Sequence, residues 1–133
     1  MGYNYAGREW VEFSELKGKV VTKVEGAEGN SQLNFYTSDG YKYSMYHEQD
    51  CCESVYVESI VGDTEDLVGE EILVAKESSA GENPIDAKVS EYQESFTWTF
   101  YKLATRKGYV DIRWYGESNG YYSESVSFVK QKI

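Results

Sequence analysis

From Phe96 to Tyr115 the chain alternates in steps of two. Phe96, Trp98 and Phe100 interleave with Thr97, Thr99 and Tyr101; after a Lys107-Gly108 turn, Val110, Ile112 and Trp114 interleave with Asp111, Arg113 and Tyr115. Successive side chains of a strand point to opposite faces, so this period suits a sheet and not a helix. Asn119-Gly120 then supplies a strong tight-turn signal, and Val126 and Phe128 resume the apolar beat. The pattern predicts a three-stranded antiparallel meander over about residues 95–129.

The same signature occurs earlier. Leu33 and Phe35 alternate with polar neighbours, Ser38-Asp39-Gly40 turns the chain, and Tyr41, Tyr43 and Met45 return it, which reads as a hairpin. Val20, Val21 and Val24 form a further β-rich run, as do Val55-Tyr56-Val57-Glu58-Ser59-Ile60 and Ile72-Leu73-Val74-Ala75. Ser14-Glu15-Leu16-Lys17-Gly18 and the run from Asp63 to Gly69, acidic at its start and closed by glycine, read as short helical turns. A single proline and 16% aromatic residues, 13 of them tyrosine, fit a folded, strand-rich chain whose sheet faces are partly wet. The expected fold is mainly β, with α+β as the near alternative: an antiparallel meander or partly open barrel carrying one or two short helices. At 133 residues the chain reads as a single domain, long enough to bury roughly 68% of its unfolded surface. Residues 1–7 read as a loose leader and residues 77–91, which hold the lone Pro84, as a mobile loop.

Thirteen Lys and Arg against 23 Asp and Glu leave a net charge of −10, which opposes binding to duplex DNA or an anionic membrane. No apolar run reaches membrane-spanning length, and the N-terminus lacks the basic-then-apolar pattern of a signal peptide. The expectation is a cytoplasmic protein that makes no membrane contact. Cys51 and Cys52 are adjacent, which is no disulfide framework, and reduced thiols are the default in that compartment. On extended chain they point to opposite faces, so one thiol is expected in the core and the other outside.

Those cysteines belong to the most chemically loaded stretch, Met45-Tyr46-His47-Glu48-Gln49-Asp50-Cys51-Cys52-Glu53-Ser54-Val55, which also holds the only histidine. Zinc sites spread two ligand pairs at set spacings, and one histidine beside two neighbouring cysteines does not supply them. His47-Glu48-Gln49-Asp50-Cys51 begins like the helical metalloprotease signature but lacks its second histidine. A Cys–His nucleophile meets carboxylates that oppose thiol ionisation. No catalytic residue, metal ligand or cofactor is assigned.

Charge segregation is the second feature above background. Lys102, Arg106, Lys107 and Arg113 meet only Asp111 between residues 102 and 113, a net charge of +3 inside an acidic chain. Guanidinium forks suit phosphate, aromatic faces stack on bases, and amides read base edges. The candidate ligand set is Arg113 assisted by Arg106 or Lys107, with Tyr115, Trp114 or Tyr121 as the stacking face and Asn119 as a polar contact. Tyr115 is favoured over Trp114 because it shares a strand face with Arg113. His47 and Glu48 join this set if the hairpin ends lie side by side. The bland reading makes Trp98 and Trp114 core and the cations internal partners of surplus acids.

The stretch 45–55, the run Phe96-Thr97-Trp98-Thr99-Phe100-Tyr101 and the run from Ile112 to Glu124 together resemble a family of small uncharacterised proteins encoded mainly by bacteriophages and prophages. The resemblance covers roughly residues 14–129, including Leu16-Lys17-Gly18-Lys19 and Asp66-Leu67-Val68-Gly69. It implies a setting, the infected bacterial cytoplasm, and no activity. Three functions follow as expectations. The first is non-enzymatic sequestration of a small anionic, nucleotide-like signal, as in a counter-defence sponge, for which a homo-oligomer is a natural form. The second is an acidic inhibitor or nucleic-acid mimic docked on a basic host defence protein. The third is a hydrolase using His47 with Cys51 or Cys52.

Overall fold

The computed structural model of the chain describes residues 7–87 and 94–133. Nine strands follow in order: β1 (Glu9–Trp10), β2 (Val21–Glu25), β3 (Gln32–Thr37), β4 (Tyr41–Tyr46), β5 (Ser54–Val61), β6 (Val74–Ala80), β7 (Ser95–Thr105), β8 (Gly108–Ser118) and β9 (Ser127–Lys132). Short 3-10 turns form at Phe13–Leu16 and Thr64–Leu67. The strands make two antiparallel sheets, one ordered β1-β9-β4-β3-β2 and the other β5-β8-β7-β6. The protein is therefore mainly β, and the sheets do not close into a barrel.

One core lies between the layers. Leu33, Phe35, Tyr43, Met45 and Phe128 come from the five-stranded sheet, and Val57, Tyr101, Leu103, Val110, Ile112 and Trp114 from the four-stranded one. Phe13 and Leu16 of the first 3-10 turn, Leu67 of the second, and Ile72 complete it. Each fully buried side chain of this size stabilises the fold by roughly 1.5–3 kcal/mol, which is how short turns with little intrinsic stability are held in place.

The β3–β4 and β7–β8 hairpins lie where the sequence places them, with Leu33 opposite Met45 and Trp98 opposite Tyr115. The expected third strand of the meander is corrected. β9 leaves β8 and inserts between β1 and β4 in the other sheet, with Met45 opposite Phe128. Asn119-Gly120 turns the chain, Asn119 Oδ1 accepting from the Tyr121 N–H at 3.1 Å, but it starts a crossover and not a hairpin. Gly116 makes room for that crossover. A Cβ there would meet the Glu124 carbonyl oxygen at 2.7 Å and Val55 Cγ2 at 3.2 Å. Glu124 ties the crossover down, accepting from the hydroxyls of Thr97 at 2.9 Å and Ser118 at 2.5 Å.

One further expectation is revised. The segment expected as a loop over residues 77–91 is still strand as far as Ala80, because β6 continues in register with β7. The strand ends at Ala80; residues 88–91 of the expected loop and residues 1–6 of the expected leader lie outside the described residues. Pairing sets the phase of β7, which its alternation leaves open. Thr99, Tyr101 and Leu103 share the core side with their partners Trp114, Ile112 and Val110, which turns Trp98 and Phe100 to the outer face. None of the helices among the described residues is long and apolar enough to cross a membrane.

Candidate functional site

The outer face of the four-stranded sheet is organised in cross-strand rows set by the register. One row holds Lys76, Lys102, Asp111 and Val61; the next holds Ser78, Phe100, Arg113 and Ser59; a third holds Ala80, Trp98, Tyr115 and Tyr56. A bulge in β5 between Val57 and Ser59 sets two residues, Glu58 and Ser59, against Arg113. A groove of about 530 Å³ runs over the first two rows, bounded on one side by Asp86.

Arg113 is the hub of this face. Its Nε donates to Glu58 Oε1 at 2.7 Å and its Nη1 to Asp86 Oδ1 at 3.0 Å. Its guanidinium lies 5.1 Å above the Trp98 ring. Trp98 is fully buried although it sits on the outer face: Arg113 and Tyr115 cover it, the latter with ring centroids 4.7 Å apart. The Trp98 Nε1–H donates to Asn83 Oδ1 at 2.9 Å. Residues 81–87 are thus strapped to the sheet at two points, Asn83 on Trp98 and Asp86 on Arg113. The bond to Glu58 raises the pKa of the guanidinium, outweighing burial, and Asp86 adds to the effect. Arg113 in turn holds the Asp86 carboxyl below its usual range.

The sequence-derived ligand residues fall into separate places. Tyr115 does share the outer face with Arg113, and its hydroxyl donates to Glu117 Oε2 at 2.8 Å. Trp114 points into the core, fully buried, and its Nε1 has no hydrogen-bond partner among the described residues. Arg106 and Lys107 sit at the β7–β8 turn, just before Gly108, which is itself five residues along β8 from Arg113, or roughly 16 Å at the rise of a strand. There Arg106 pairs with Glu70 at 3.4 Å, and the Lys107 ammonium caps the carbonyls of Val68 at 2.6 Å and Glu65 at 3.4 Å. Asn119 lines a smaller cleft of about 310 Å³ beyond the other end of β8, with Cys52, Ser54, Glu117 and Tyr122. Tyr121 projects beside it, almost fully exposed.

The two sequence motifs do meet, at that cleft. Ser54 pairs with Glu117, and His47 Nδ1 bonds the Ser125 carbonyl at 2.7 Å. Residues 47–53 close around one carboxylate, that of Glu53. It accepts from His47 Nε2 at 2.8 Å and from the backbone N–H groups of Asp50 and Cys51, each at 2.9 Å. Burial pushes the Glu53 carboxyl up, but His47 and those two N–H groups outweigh it and hold it at about 2. Both partners of His47 are acceptors, so both bonds form together only when the ring carries two protons. Glu48 is exposed and accepts from the Tyr46 hydroxyl at 2.7 Å. The cysteine expectation is corrected: Cys51 and Cys52 are both exposed and joined by a disulfide of 2.11 Å. The chain here is a tight loop wound on Glu53, so the alternation of an extended strand does not apply. Among the described residues no group of three or more His, Cys, Asp or Glu is arranged to hold a metal ion.

Trp98, Glu58, Asp86 and Lys76 were not in the sequence-derived site. Trp98 carries a signal, its alternation with Thr99, but the phase that turns it outward depends on pairing. Comparisons with curated proteins and with solved structures return no match. The family comparison does, over residues 14–128, and the chain belongs to the family described as Domain of unknown function (DUF7448).

Proposed function

We propose that the protein is a non-enzymatic accessory binding protein that holds a small, nucleotide-like anion in the outer-face groove. The observation that carries this reading is Arg113, laid over Trp98 in a groove of about 530 Å³ that also carries Lys76 and Lys102. That volume lies within the range of small-molecule pockets. A guanidinium fork suits a phosphate, and stacking on an aromatic ring fixes its plane. Phe100, half-buried in the same row as Arg113, offers an apolar floor for a base or ribose.

The hydrolase alternative fares worse. Both ring nitrogens of His47 are hydrogen-bonded, and the two cysteine sulfurs are bonded to each other, so the His47–cysteine pair that such a hydrolase would use is not set up in that loop. In the phage-type setting that the motifs resemble, the binding reading means sequestration of a signal nucleotide in the bacterial cytoplasm.

Calorimetric titration of mononucleotides, cyclic dinucleotides and ADP-ribose into wild type, Arg113→Ala and Arg113→Lys tests the proposal. Arg113→Ala should weaken binding by about 1.5–3 kcal/mol, the range for a hydrogen bond to a charged group. Arg113→Lys keeps the charge and the fold but loses the fork, and should fall between. No binding to wild type, or equal affinity in all three proteins, overturns the proposal.

A further inference from the structure

Lys76 and Lys102 stand directly opposite each other on β6 and β7, both on the outer face and both exposed. Like charges at directly opposed positions destabilise a sheet. A chain with ten more acids than bases has ample means to neutralise such a pair. Yet among the described residues neither ammonium lies within 4 Å of a carboxylate; Lys102 instead rests over the Tyr109 ring at 5.6 Å. Asp111 is the cross-strand partner of Lys102 but makes no ion pair with it. Glu77 also lines the groove, with its carboxylate turned to the Tyr101 hydroxyl at 3.4 Å.

Arg113 is the opposite case. Its fork is filled by two acids, but they are not equivalent. Glu58 is on a strand, with its side chain about one-fifth exposed, whereas Asp86 is on the 81–87 strap, with its side chain three-quarters exposed. Asp86 can therefore give way to another anion while Glu58 stays. Along the strands, the row of Arg113 and the row of the lysines are two residues apart, about 7 Å.

We infer that the ligand carries two anionic groups, one replacing the Asp86 carboxylate on Arg113 and the other seated between Lys76 and Lys102. This inference rests on the groove being the ligand site and narrows its ligand to molecules with two separated charges. Exchange of Asp86 for the ligand's first anion keeps the Arg113 fork filled, and the second anion relieves the opposed lysine pair.

Two probes separate the possibilities: adenosine 5′-monophosphate, with one phosphate, and adenosine 3′,5′-bisphosphate, with phosphates on two sides of the ribose. Wild type should bind the bisphosphate about tenfold or more tightly than the monophosphate, the scale of one charge-assisted contact. The double variant Lys76→Gln, Lys102→Gln should bring that ratio close to one, weakening the bisphosphate far more than the monophosphate. Asp86→Asn, which weakens the internal competitor, should tighten both probes by a similar factor. An unchanged bisphosphate preference in the lysine double variant, or weaker binding of both probes to Asp86→Asn, overturns the inference and leaves the groove as a simpler anion site. No binding of either probe overturns the inference and the groove reading together.

Discussion

Trp98 and Trp114 are equally buried and one strand apart, yet their indole N–H groups have opposite fates, and replacing each by phenylalanine should expose the difference. Trp98 Nε1 donates to Asn83 Oδ1 at 2.9 Å, whereas Trp114 Nε1 has no partner among the described residues. Both substitutions remove the same atoms from fully buried sites, so the loss of packing is similar and largely cancels in the comparison. Trp98→Phe additionally loses a hydrogen bond with a net value of about 0.5–1.5 kcal/mol. Trp114→Phe removes a buried donor that costs about 1–3 kcal/mol to leave unmade. Trp98→Phe should therefore be the less stable variant by about 1.5–4.5 kcal/mol. Weaker attraction of a phenyl ring for the Arg113 guanidinium acts in the same direction. Urea unfolding of the two variants, with a common slope, measures the gap. Equal midpoints, or a less stable Trp114→Phe, would refute the assignment of one satisfied and one orphaned indole.

The remaining predictions concern the loop and the crossover. The Glu53 carboxyl is held at about 2 against an ordinary value of 4.5, so the folded state binds fewer protons than the unfolded chain between those pH values. Its stabilisation is complete above pH 4.5 and disappears as the pH falls towards 2; Glu53→Gln should flatten this part of the stability–pH curve, and parallel curves for the two proteins would count against the carboxylate hub. Gly116→Ala places a methyl group 2.7 Å from the Glu124 carbonyl oxygen and should cost about 1–3 kcal/mol in chemical denaturation; a neutral substitution would show that the crossover yields freely.

What could be read from the sequence was what is local. Period-two alternation and turn residues located β3, β4, β5, β7 and β8, because both signals arise within a few residues of chain. The phase of β7 was not legible: Trp98 and Phe100 on one side and Tyr101 and Leu103 on the other are all apolar enough to face a core. Neither was the departure of β9, since the choice of partner strand is a contact between distant segments. The polar tail of β6, Glu77 to Ala80, resembles a loop and becomes strand only through pairing with β7. Arg113 was correctly expected on the face opposite the core, because that follows from strand parity alone. Its partners Glu58 and Asp86 are 55 and 27 residues away along the chain, and no spacing rule connects them.

The central claim is that a ligand enters the groove beside Arg113, whose guanidinium covers Trp98. The three tryptophans provide three separate indole N–H resonances to test it. Adenosine 3′,5′-bisphosphate titrated into the ¹⁵N-labelled protein should shift the Trp98 indole, which joins the strap to the groove, together with the amides around Arg113 and Asp86. The indoles of Trp114, in the core, and Trp10, on the edge strand β1, should remain in place. A stationary Trp98 indole, with the largest shifts instead in residues 47–53 or 119–122, would contradict the account.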